Sequence, residues 1–169
     1  LVEQNMAVLN AAYAETPFIF TYANRDDPSV YMSETWSTDS ISYQKEIGSE
    51  LGVGALDTLN VYASYGISQE EEGIRGFAVF PSEQLNSGDE QKGDGVYQIL
   101  DTVTNGGSYQ NENGYTLVHE VGHWLGLYHV FQRNTEDACV ADDWGDFVDD
   151  TGAMSGPSSD VFGDCSEYL

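Results

Sequence analysis

The chain has 169 residues, with 29 Asp and Glu against 5 Lys and Arg, for a formal net charge of −24. A surface this acidic repels phosphate backbones and anionic lipid, which excludes nucleic acid and the inner membrane leaflet as partners. With 40% hydrophobic and 12% aromatic residues, the chain is expected to fold as a single domain with a proper core, and no apolar run is long enough to span a bilayer.

The first residue is Leu1 rather than Met, so a processed product or a fragment is expected. Residues 4–13 place Met6, Leu9 and Tyr13 at helical spacing, which predicts a short amphipathic helix. Pro17 follows, and Phe18–Ala23 reads as a strand. Asn24–Ser40 is polar and contains Asp-Asp-Pro, a loop. Residues 41–51 are predicted helical, closed by Gly52 and Gly54. Three β-rich runs come next: Leu59–Tyr65, Gly73–Phe80 ended by Pro81, and Gly95–Leu100. Thr102–Gly114 reads as loop and Tyr115–Leu125 as helix. Beyond Gly126 the chain loses periodicity, and residues 132–169 are rich in Asp, Gly and Ser. Helices alternating with apolar strands predict an α/β layer with a mostly parallel sheet. A long irregular tail is unusual in a compact domain unless a metal or a disulfide orders it.

All three histidines fall in one stretch, HEVGHWLGLYH, as His119, His123 and His129. Two histidines four apart on a helix present both rings on one face, as a shared zinc ion requires. Gly126 is able to take φ > 0, end the helix and return the chain so that His129 serves as a third ligand. Three protein ligands with an open fourth position is the catalytic arrangement of zinc. Glu120 lies beside the first ligand, close enough to hold water without ligating. The bland alternative is three unrelated core histidines. Chance assembly of this motif at the chain's own frequencies is roughly two in a million, so that alternative is set aside.

HExxHxxGxxH is the zinc signature of the metzincin metalloproteases. More narrowly, TLVHEVGHWLGLYHVFQ followed by GDFVDDT resembles the pappalysin family, with QNMAVLNAAY, LNVYASY, RGFAVFP and DGVYQIL supporting it upstream. The resemblance implies a metzincin-type domain with a twisted, mostly parallel sheet, one antiparallel edge strand and an active-site helix at about 115–125. It divides the chain into an N-terminal subdomain, 1–126, and the start of a C-terminal one, 127–169. It implies a secreted zinc endopeptidase in which His119, His123 and His129 bind zinc and Glu120 is the general base to a metal-activated water. The edge strand, with Gly76, Phe77 and Ala78, would pair with extended peptide substrate.

The family's methionine turn has no match after Cys165, and Met154 in TGAMSGP is a poor substitute. A single but incomplete catalytic domain is therefore expected. A non-catalytic zinc- or calcium-binding fragment is the competing reading, and retention of Glu120, which does nothing to hold zinc, argues against it. An intracellular HExxH hydrolase is disfavoured by His129 and by the two cysteines.

Cys139 and Cys165 are the two cysteines, and a disulfide between them would tie down the irregular segment. Pairing of each with a cysteine beyond Leu169 stays open. Residues 137–150 carry six aspartates and no basic residue. Either that loop is simply solvated, or a hard cation relieves the repulsion. By resemblance, Asp146 and Thr151, with a carbonyl near Asp149, are the calcium candidates. Oligomeric state and cleavage preference are not legible.

Overall fold

The computed structural model describes residues 2–23, 41–55, 57–64, 74–81, 93–103, 113–131, 145–148 and 151, with side chains from residue 44 onward in the second helix. The chain folds as two units, Leu1–Leu125 and Gly126–Leu169.

In the first unit, α1 spans Val2–Ala12 and α2 spans Ile41–Leu51. Strands β1 (Val61–Ser64), β2 (Gly76–Ala78) and β3 (Val96–Ile99) follow, then a 3-10 turn at Leu100–Thr102 and helix α3 at Tyr115–Trp124. The described strands form one sheet in the order β1-β3-β2. β1 runs parallel to β3 with Tyr62 opposite Tyr97. β2 runs antiparallel to β3 with Gly76 opposite Gln98 and Phe77 opposite Tyr97.

Strand alternation sends successive side chains to opposite faces, and here the two faces meet different helices. One face carries Val96 and Ala78, which pack with Leu9 and Tyr13 of the α1 region and with Leu117 and Val121 of α3. The Tyr13 hydroxyl also donates to the Val118 carbonyl at 3.1 Å, tying the end of α1 to α3. The other face carries a ring stack, Tyr62 on Tyr97 on Phe77, with centroid separations of 4.6 and 4.5 Å. The Tyr62 hydroxyl donates to the Gly48 carbonyl at 3.1 Å, which seats α2 over these rings. A Cβ on Gly48 would run into the Tyr97 hydroxyl, so that seat requires glycine.

One expectation needs correction. Phe18–Ala23 forms no strand with any described residue. Its ladder groups are taken by a side chain instead: the Asn10 amide donates to the Phe20 carbonyl and accepts from the Phe20 N–H, both at 2.9 Å. In the described sheet β3 has one parallel neighbour, β1, and one antiparallel neighbour, β2, which is last in the strand order.

In the second unit, Gly126 takes φ 99. Tyr128 and Phe147 meet edge to face at 5.5 Å, and His129 stacks on Phe131 at 4.6 Å. The Asp146 carboxylate accepts from the Val148 N–H at 3.1 Å and from the Thr151 hydroxyl at 2.8 Å. Cys139, Asp149, Met154 and Cys165 lie outside the described residues, so the disulfide and the methionine-turn readings are not addressed by them.

Candidate metal centre and active site

Helix α3 owes its placement to Leu117 and Val121, which are 4% and 0% exposed and lie one turn apart against the sheet. That anchoring turns Glu120 and His123 inward too, at 5% and 7% exposure. His119 stays at the surface. Leu125 closes the helix by donating to the Val121 carbonyl at 2.9 Å. The positive φ of Gly126 then breaks the helical path at the next residue.

The Nε2 atoms of His119 and His123 are 3.0 Å apart, with the rings nearly perpendicular at 83°. Two nitrogens on a tetrahedral zinc with bonds of about 2.0–2.1 Å stand about 3.3 Å apart. The pair is thus close to ligand spacing, and the donor chemistry fits the metal. The Phe80 ring lies 5.2 Å from that of His123 and backs it. The His119 pKa is lowered, first by desolvation and then by the neighbouring His123 ring. This favours the neutral imidazole that a metal needs.

Glu120 lies between the two histidines in sequence, and its side chain packs over Gly76 of β2. Burial pushes its carboxyl up to about 7. A group of that pKa takes and returns a proton near neutrality. Gly76, Phe77 and Ala78 form the last strand in the described sheet order, paired to β3 on one side.

Sequence reasoning missed two supports. The Trp124 indole N–H donates to Asp94 at 2.9 Å, fixing the end of α3 to the turn before β3. Phe80 is the other, and nothing in its local sequence distinguishes it from an ordinary strand aromatic. Asp94 is 4% exposed, yet in the sequence it is one acidic residue in a Gly- and Asp-rich connection. His129 belongs to the second unit, half-buried on Phe131.

The family model Peptidase_M43, described as Pregnancy-associated plasma protein-A, matches residues 54–166. The chain belongs to this family. The Peptidase_M43 match takes in α3, all three histidines and both cysteines. Among curated relatives, an extracellular metalloprotease of Arthroderma gypseum is 37% identical over 161 residues, covering 94% of this chain and 50% of its own length. One from Podospora anserina is 34% identical over 160 residues, with the same shares. One from Neurospora crassa is 32% identical over 166 residues, again with those shares. The chain thus spans about half the length of the curated relatives it matches. Among solved structures, mature mirolysin of Tannerella forsythia, in complex with a cleaved peptide, is 25% identical with a TM-score of 0.48. That match covers 71% of this chain and 42% of that one. Among the described residues, no helix is long and apolar enough to cross a membrane.

Proposed function

We propose that the chain carries the zinc-binding catalytic part of a secreted endopeptidase acting on extended peptides. The observation that carries this reading is the His119–His123 pair, with Nε2 atoms 3.0 Å apart, next to a buried Glu120 whose pKa is raised to about 7. His129 is the third ligand in this reading, supported by the motif spacing.

The ion would supply Lewis acidity to the attacking water and the scissile carbonyl. Glu120 accepts the proton of the water during attack and returns it to the leaving nitrogen. The edge of β2 at Gly76–Ala78, last in the described strand order, offers backbone groups to an extended substrate, which favours loops and unfolded segments. Secretion is supported by relatives named extracellular metalloproteases.

Glu120→Ala in the full-length protein should retain zinc and lower peptide hydrolysis by a factor of roughly 10² to 10⁴. A variant cleaving casein as fast as its parent refutes the mechanism.

We also assign a calcium site to the acidic loop, with Asp146 and Thr151 as side-chain ligands and a carbonyl near Asp149. In support, Asp146 and Thr151 are already drawn together at 2.8 Å. Excess calcium should raise the melting temperature and EGTA lower it with zinc retained. No shift across that titration, and no calcium in elemental analysis, removes the site.

A further inference from the structure

Gly76 is a glycine without a backbone reason to be one. The described glycines at positive φ are Gly54, Gly93, Gly95, Gly114, Gly126 and Gly145. Gly76 instead sits in ordinary strand geometry, opposite Gln98 in the β2–β3 ladder. A glycine inside a strand costs stability and leaves nothing to pack. Its presence therefore points to something that approaches the backbone closely.

That something is the general base of the proposed reaction. A Cβ built on Gly76 would lie 2.7 Å from Glu120 Cγ, 2.8 Å from Oε1 and 3.0 Å from Cδ. These are the three nearest atoms it would meet, and all belong to one side chain. The next residue on the same face of β2 is Ala78, also small, so α3 comes down close to the strand here. Glu120 itself is 5% exposed, so its carboxylate is held inside the fold rather than out in solvent.

We propose that Gly76 is a positioning residue, whose missing side chain forms the slot that holds the Glu120 carboxylate in its working orientation. The inference rests on the reading of Glu120 as general base. It gives β2 two separate tasks: the backbone edge meets substrate, and the bare glycine on the helix-facing side sets the base. Because the atoms in the way are the end of a flexible side chain, an added methyl displaces the carboxylate rather than unfolding the sheet. Misplacing a catalytic group by about 1 Å costs on the order of 10²-fold in rate.

The test is a double-mutant cycle in the full-length protein, with Gly76→Ala, Glu120→Ala and the double variant. Gly76→Ala should lower kcat by roughly 10²-fold with KM changed less than about twofold, since the substrate-pairing backbone is untouched. Zinc content and melting temperature should stay near the parent's. In the Glu120→Ala background the same substitution should have no further effect on the residual rate, because nothing is left to displace. The inference is overturned if Gly76→Ala turns over like the parent, if its loss falls on KM, or if it lowers the rate equally in both backgrounds. Should Gly76→Ala fail to fold, the double variant decides: recovered folding supports the contact and continued failure refutes it. If Glu120→Ala is as active as the parent, the reading of the reaction falls. If Glu120→Ala is inactive and Gly76→Ala normal, the slot alone falls.

Discussion

Glu120 carries an energetic cost that a solvent-facing helix residue would not. Burial raises its pKa from 4.5 to about 7, so between those values the folded, metal-free protein keeps a proton that the unfolded chain has released. The folded state binds more protons in that window, and stability therefore falls as pH rises through it. Above pH 7 the penalty is fully present, on the order of 3 kcal/mol. Glu120→Gln keeps the shape and cannot ionise. Metal-free Glu120→Gln should match its parent at pH 4 and exceed it at pH 8, as read from urea midpoints. Equal midpoints at both pH values would show that the carboxyl is better solvated than its burial implies.

At the scale of elements, α3 depends on its far end as much as on its core face. The Trp124–Asp94 hydrogen bond at 2.9 Å joins the helix terminus to the turn that launches β3. Trp124→Phe keeps most of the ring and removes the donor, and a lost bond to a charged acceptor costs about 1.5–3 kcal/mol. Chemical denaturation should show that loss; an unchanged midpoint would mean solvent replaces the indole. This tether also marks where the sequence stopped being readable. Helices α2 and α3 were legible because periodic apolar residues and stop glycines are local signals, and His119 and His123 because four-residue spacing has one geometric meaning on a helix. Phe18–Ala23 misled because its β-like composition says nothing of Asn10, whose amide occupies the Phe20 backbone groups. Gly76 was legible as strand but not as a slot, since Glu120 is supplied by an element far along the chain. Asp146 and Thr151 are brought together by a bend with a non-glycine residue, Phe147, at φ 66, which no periodicity announces.

For the whole molecule, the dominant global quantity is the charge of −24. With so few cations, a net charge this large destabilises the compact state through self-repulsion. Raising monovalent salt from about 10 mM to about 150 mM shortens the screening length from about 30 to about 8 Å. The melting temperature should rise by about 2–4 °C, the equivalent of about 1 kcal/mol for a chain of this size. Calorimetry in potassium chloride, with calcium held fixed, checks this, and a flat response would mean that bound cations already neutralise the surface.

The ring stack on the α2 side of the sheet gives the molecule an optical signature separate from its chemistry. Tyr62, Tyr97 and Phe77 sit in register across all three described strands, with Tyr97 and Phe77 within 4° of parallel. Phenols held so close and so rigidly should contribute a tyrosine band to the near-ultraviolet circular dichroism, a signal that vanishes when fixed packing is lost. Burial and the nearby Asp94 push Tyr62 up to about 12, and Tyr97 is pushed up as well, by burial first. Neither should therefore ionise in an alkaline absorbance titration until the sheet itself opens. Substitutions at Glu120 or Gly76 act on the opposite face, so they should leave this spectrum intact while changing turnover. Light thus reads the scaffold on one side of a sheet whose other side carries the proposed site.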